Sequence, residues 1–204
     1  MFKQFILFTI LTSITLSASD TLSIKEKCKK EDATACYEIA LPLISGENKK
    51  VQEIFEEGMS YMRKACILGE NRGCDSMGER YFKDANYAIA LDYLTQSCNR
   101  GVKSACEGVG TIYRDGLDTK ADDIKSRKFY EKACNLGSGD ACYNVAIIYR
   151  GGFGVTKSRV KEKEFYQKGC KVGLKAGCAR FIELDNEDKG IETGILATIK
   201  NWFK

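Results

Sequence analysis

The sequence predicts an all-α solenoid of stacked helix pairs, stapled by disulfides. Three observations carry that expectation. Ten cysteines stand at 28, 36, 66, 74, 98, 106, 134, 142, 170 and 178, forming five Cys-x7-Cys pairs. The first members of successive pairs lie 38, 32, 36 and 36 residues apart, and a fixed period in this range marks stacked supersecondary units. The 204 residues hold one proline, Pro42, so long helices are rarely interrupted.

The residues around the pairs repeat as well. Tyr61-Met-Arg-Lys-Ala-Cys66, Tyr93-Leu-Thr-Gln-Ser-Cys98, Phe129-Tyr-Glu-Lys-Ala-Cys134 and Phe165-Tyr-Gln-Lys-Gly-Cys170 place an aromatic five positions ahead of a cysteine. Three residues after those cysteines come Gly69, Gly101, Gly137 and Gly173, placed to end a helix with a left-handed cap. Four after the second cysteine a small residue recurs at Ala40, Gly78, Gly110 and Ala146, and seven after it a tyrosine at Tyr81, Tyr113 and Tyr149. The small residue allows a neighbouring helix to approach, and the tyrosine lies about one turn further along the same face.

The x7 spacing fixes where a staple can lie. Eight positions along one straight helix separate two Cα atoms by about 12 Å, whereas a disulfide needs them within about 7 Å. Bonding therefore requires the chain to reverse between the cysteines, at the glycine turn. The repeated local spacing selects Cys28–Cys36, Cys66–Cys74, Cys98–Cys106, Cys134–Cys142 and Cys170–Cys178. Closing so short a loop contributes at most about 2.5 kcal/mol in a chain-entropy estimate. The pattern places a first helix of each unit (A) near 34–44, 72–83, 103–115, 139–150 and 175–184. It places the second helix (B) near 48–68, 86–100, 121–136 and 159–172. The last unit departs from the pattern, with Ile182 in place of the small residue and Asp185 in place of the tyrosine. Terminal repeats lack a neighbour on one side and are expected to be atypical. The expected organisation is a leader over 1–19, the array over 20–184 and a capping segment over 185–204.

The Tyr-x-Lys-Ala-Cys…Gly…Ala-Cys…Tyr-Arg-x-Gly skeleton over residues 25–184 resembles the Sel1-like repeat family, in its cysteine-rich branch known from Helicobacter and relatives. The resemblance implies a right-handed superhelix of antiparallel helix pairs, similar to tetratricopeptide arrays. It also implies an enzymatic alternative, because some members of that branch are described as penicillin-binding proteins or weak β-lactamases.

The N-terminus reads as an export signal. Lys3 supplies a basic start, Phe5 to Leu16 carries no charge, and Ser17, Ala18 and Ser19 suit cleavage. Twelve apolar-region residues are too few for a membrane span, which needs about 20. A secreted or periplasmic protein is therefore expected, in a compartment where disulfides persist. The balance of 32 Lys and Arg against 28 Asp and Glu gives +4, which offers no reason to expect nucleic acid binding.

Chemistry is sparsely signalled. The chain has no histidine, which removes Ser-His-Asp and Cys-His schemes and histidine metal ligands. Zinc knuckles and Cys-x-x-Cys redox motifs are missing too. No cofactor or metal is expected. One Ser-x-x-Lys occurs, Ser158-Arg-Val-Lys161, the spacing that sets a lysine one turn from a nucleophilic serine in β-lactamases. Its partner motifs Ser-Asp-Asn and Lys-Thr-Gly are absent, and Ser158 stands where a B helix should begin, so an N-cap explains it. A basic stretch, Lys157, Arg159, Lys161, Lys163, Lys168, Lys171 and Lys175, reads as a solvated helix face or a surface for an acidic partner or anionic wall polymer.

These observations favour a monomeric binding scaffold whose curved surface holds a protein or peptide. A penicillin-binding or β-lactam-hydrolysing protein and a purely structural envelope protein are the competing readings.

Overall fold

Residues 18–44 and 52–190 are described by the computed structural model, and every regular element among them is a helix. The expected leader therefore lies outside the described residues except for Ala18 and Ser19, as do residues 191–204 of the expected capping segment. In chain order the helices are α1 (Ala18–Lys29), α2 (Ala33–Ile44), α3 (Gln52–Ile67), α4 (Asn71–Lys83) and α5 (Tyr87–Asn99). They continue with α6 (Lys103–Asp115), α7 (Asp123–Asn135), α8 (Gly139–Gly151), α9 (Arg159–Lys171) and α10 (Lys175–Asp188). The even-numbered helices are the A helices, and α3, α5, α7 and α9 are the B helices. Helix α1, which the repeat pattern does not place, occupies a B position ahead of the first staple.

Each helix packs on its chain neighbours, and α4 also touches α6, as α8 touches α10. The result is an α/α solenoid. Its main core runs continuously from Ala90 to Leu184, with smaller clusters around Cys28–Cys36 and Met59–Met77.

The B-to-A turn has one design, used five times. At Cys134 the N–H of Gly137 donates to the Cys134 carbonyl and the N–H of Ser138 to the Ala133 carbonyl, which is the Schellman arrangement. The same pair of bonds recurs after Cys28, Cys66, Cys98 and Cys170. Gly69, Gly101, Gly137 and Gly173 hold φ between +87 and +98°, the region glycine enters without penalty. In the first turn that position is Glu31, at φ +66°. The reversal brings each cysteine pair to Cα–Cα distances of 4.4–4.7 Å, and all five pairs are bonded: Cys28–Cys36, Cys66–Cys74, Cys98–Cys106, Cys134–Cys142 and Cys170–Cys178.

Small residues set the helix spacing. A Cβ added at Gly78 would lie 2.6 Å from Leu94 Cδ2, and one at Gly110 would lie 2.9 Å from the Tyr130 ring. The recurring aromatics pair within each unit as near-parallel stacks. Tyr81–Tyr93, Tyr113–Phe129 and Tyr149–Phe165 have ring centroids 5.9, 5.9 and 5.7 Å apart. Their periodicity is a packing periodicity, as is that of Tyr130 and Tyr166, both fully buried.

The A-to-B connections differ. Gly116 and Gly152 end α6 and α8 in the left-handed conformation. The shortened unit instead uses Ala85 at φ +57°, and Asn86 makes no side-chain cap for α5. Its cap comes from the next unit: Asp118 Oδ2 accepts from the N–H groups of Tyr87 and Ala88 at 3.0 and 3.4 Å. At the second staple, Glu70 caps α4 and takes a two-pronged contact from Arg72. The Arg72 guanidinium chiefly holds its carboxyl at about 2, against the opposing effect of burial.

The left-handed turn position yields a paired prediction. Glu31→Gly relieves a non-glycine residue at positive φ and raises stability by about 1 kcal/mol. Gly137→Ala imposes the same strain and lowers stability by a similar amount. Urea denaturation of the oxidised protein reads both, and changes of the same sign would contradict this assignment.

Candidate functional site

One cavity recurs between successive units, always in the same register. Its corners are three positions: eight after a second cysteine on an A helix, four before the next first cysteine on the B helix, and two after the following second cysteine on the next A helix. At the first junction these are Ile44, Met62 and Ser76, around a cavity of about 200 Å³ also lined by Phe55, Met59 and Arg80. At the second they are Phe82, Leu94 and Gly108, around about 130 Å³. At the third they are Arg114, Tyr130 and Asn144, around about 320 Å³ also lined by Asp123, Ser126, Ile147 and Phe153. The same step along the sequence that repeats the staple thus repeats a recess along the face of the A helices.

The fourth junction holds the corresponding Arg150, Tyr166 and Arg180. Here the Arg180 guanidinium lies 5.9 Å from the Tyr166 ring centroid and pairs with Glu183. Glu162 stands where the third junction has Ser126, and it is only 5% exposed. Both positions thus carry longer side chains than at the third junction.

The third cavity combines an apolar wall with a few polar groups, the composition common to ligand sites. Tyr130 forms its floor, and its hydroxyl shares a 2.8 Å hydrogen bond with Thr111. Burial pushes the Tyr130 phenol up, with Thr111 and Arg114 opposing, so it stays neutral. Arg114 is held by both oxygens of Asp115, at 2.7 and 2.9 Å. Ser126 is 1% exposed, and its hydroxyl has no hydrogen-bond partner.

The Ser-x-x-Lys residues have other tasks. Ser158 is the N-cap of α9 and accepts from the Lys161 N–H at 3.3 Å. The Lys161 ammonium sits 5.6 Å from the Tyr149 ring centroid. The basic stretch is partly neutralised within the chain. Arg159 pairs with Glu187 and Asp188, Lys163 with Asp185 and Asp188, and Lys168 with Glu164. Asp185 therefore fills the slot of the missing tyrosine with an ion pair that ties α10 to α9. Nothing in the spacing of the lysines announces this, because the acidic partners on α10 stand on a different helix. Among the described residues no group of three or more His, Cys, Asp or Glu could hold a metal ion, and no helix is long and apolar enough to cross a membrane.

Beside the second cavity, burial raises the Asp75 carboxyl first and Glu79 second, while the Ser104 and Ser97 hydroxyls pull it down. A carboxyl held above its ordinary value costs stability when ionised, and that cost vanishes below the ordinary carboxylate range. Asp75→Asn is expected to raise the Tm at pH 7, and the gain should shrink as pH falls from the raised value of the Asp75 carboxyl towards the ordinary carboxylate range and be gone below about 4. A gain that persists unchanged at low pH would count against this origin.

Residues 76–102, 103–138 and 139–174 match the Sel1 repeat. Each full match covers one A and one B helix and ends at the B-to-A turn, so the Cys98–Cys106 and Cys134–Cys142 staples each join two matched repeats. Over 77 residues the chain is 32% identical to a Helicobacter pylori protein named "Putative beta-lactamase HcpE", a match covering 37% of this chain and 22% of that protein. Among solved structures, the protective antigen c5321 of uropathogenic Escherichia coli, described as displaying an SLR fold, superposes with a TM-score of 0.70 at 22% identity. That match covers 82% of this chain and 36% of the antigen. A Sel1 repeat protein from Oxalobacter formigenes superposes with a TM-score of 0.62 at 18% identity, covering 80% of this chain and 66% of that one. These structural likenesses carry the fold alone. The chain spans a minor part of HcpE and of the antigen.

Proposed function

The chain is a Sel1 repeat protein, and from that premise we propose that it is an exported, disulfide-stapled scaffold that binds a peptide or protein along the face of its A helices. The recurrent cavity is the observation that carries this reading. Three recesses in one register, one per repeat, suit an extended polypeptide that seats a side chain at each, because solenoid repetition produces elongated binding surfaces. The first recess, with Glu79, Arg80 and Lys83 in its lining, and the third, with Ile147, Ile148 and Phe153, differ enough to give such a ligand a direction. Export is supported by the apolar leader in the sequence and by five disulfides, which persist in oxidising compartments.

β-Lactam hydrolysis, which the name of HcpE suggests for that protein, finds little support in this chain. The Ser158 hydroxyl is engaged in capping α9. Loss of a cap typically costs about 1 kcal/mol, so Ser158→Ala should lower stability by that amount. Oxidised protein is expected to show no turnover of a chromogenic cephalosporin above buffer. Turnover that disappears in Ser158→Ala would overturn this assignment.

Groove binding is tested by selecting peptides from a displayed random library against the oxidised protein. The double variant Ser76→Arg/Ile147→Arg obstructs the first and third recesses and should weaken the selected peptides at least tenfold. Lys128→Glu, on the exposed side of α7, should leave them unchanged. Undiminished binding to the double variant would refute the groove.

A further inference from the structure

The Cys66–Cys74 staple has a charged group against its sulfur. The Arg100 guanidinium reaches back from the next B-to-A turn and donates through Nη1 to Cys74 Sγ at 2.8 Å and to the Cys66 carbonyl at 3.2 Å. The repeat sets this position, because Arg100 stands two residues after the first cysteine of the following pair. The corresponding residues after the first, third and fourth staples are Leu68, Leu136 and Val172, and none of them can supply a charge. Leu68 packs on the cluster around Cys28 and Cys36 instead.

A guanidinium acts differently on the two states of a cystine. It gains little from a neutral disulfide sulfur and much more from a thiolate, which carries a full charge. Contact with Cys74 Sγ therefore favours the reduced form of this staple over its oxidised form, and it favours Cys74 as the sulfur that leaves. The second cysteine of every staple is the fourth residue of an A helix, where the N-terminal dipole also supports a thiolate. All five staples share that contribution, and Arg100 adds to it at the second.

The Cys98–Cys106 staple is the internal comparison. An acidic residue follows the second cysteine in both, Asp75 after Cys74 and Glu107 after Cys106. All four cysteines are buried, and both joints use the same hydrogen-bonded turn. What sets the two apart is the charge at one register, Arg100 for the first and Leu136 for the second.

We propose that Cys66–Cys74 is a thiol–disulfide exchange site, the staple among the five that is tuned for reduction by a dithiol. A thiolate of the dithiol attacks Cys66 Sγ. The S–S bond breaks, and its electron pair leaves on Cys74 Sγ, where Arg100 holds the new thiolate. The second thiol of the dithiol then displaces Cys66 from the mixed disulfide. The dithiol is oxidised by two electrons to a disulfide and the cystine is reduced by two. Of the two protons released, one goes to Cys66 and one to solvent. Reduction unfastens α3 from α4, which supply Met62, Ser76 and Met77 to the first recess. The inference stands apart from the peptide groove, because it needs only the contact between guanidinium and sulfur.

Because both cysteines are buried, exchange passes through local opening of the turn, and the test reads equilibrium in place of rate. Oxidised protein is equilibrated in graded mixtures of reduced and oxidised dithiothreitol at mildly alkaline pH, trapped with a thiol-alkylating reagent and mapped by mass spectrometry. Half-reduction of Cys66–Cys74 is expected at a reduced-to-oxidised ratio at least threefold below that of Cys98–Cys106. Arg100→Met, which keeps an apolar stem and removes the charge, should raise the ratio for Cys66–Cys74 at least threefold. Leu136→Arg, at a position already 41% exposed, should lower the ratio for Cys98–Cys106 by a similar factor. If Arg100 only braces the turn, Arg100→Met has the opposite effect and eases reduction. That result, equal midpoints for the two staples in the unaltered protein, or no shift in Leu136→Arg would overturn the proposal.

Discussion

Everything in this fold depends on a chain reversal nine residues long. A B helix ends, a residue at positive φ turns the backbone, and an A helix begins, with two cysteines brought to Cα–Cα distances of 4.4–4.7 Å across the turn. The turn and the staple support each other. The first cysteine supplies the carbonyl that accepts the glycine N–H, so the bonded residue is part of the cap. Since each full Sel1 match ends at this turn, the staple couples neighbouring repeats, and the joint most exposed to fraying in a one-dimensional array is the one that is cross-linked.

Fixing the reversal also fixes the register of the next helix pair. With the same hydrogen-bonded turn at each joint, the residues four before one cysteine and two after the next meet, and the side chains at those positions shape what lies between them. Met62, Leu94, Tyr130 and Tyr166 are four versions of one floor. Ser76, Gly108, Asn144 and Arg180 are four versions of one wall. Architecture and the proposed ligand contacts thus come from the same repeat, but through different positions: the small residues and stacked aromatics hold the helices together, and the wall positions differ from unit to unit.

Much of this is legible in the sequence because it is local or periodic. The A and B helix bounds follow from cysteine, glycine and aromatic spacing, and the glycine caps are where the offsets place them. Helix α1 escapes the pattern because no earlier cysteine pair precedes it to set a register. Asp118 capping α5 is not legible, because the contact spans 31 residues and replaces a loop the shortened unit lacks. The ion pairs between α9 and α10 are hidden for the same reason: a basic run on one helix says nothing about acids on the next. The row of recesses needs the relative position of three helices, which spacing along one helix does not give.

Every cysteine is bonded to its partner across a turn and to nothing else, and peptide mapping of the oxidised protein without reduction tests this most directly. Trypsin cuts within four of the five loops, and the 134–142 loop, which has no lysine or arginine, opens with a protease specific for aspartate at Asp140. Five linked peptide pairs are predicted: 28 with 36, 66 with 74, 98 with 106, 134 with 142 and 170 with 178. A free thiol, or any bond between cysteines of different turns, would contradict the account.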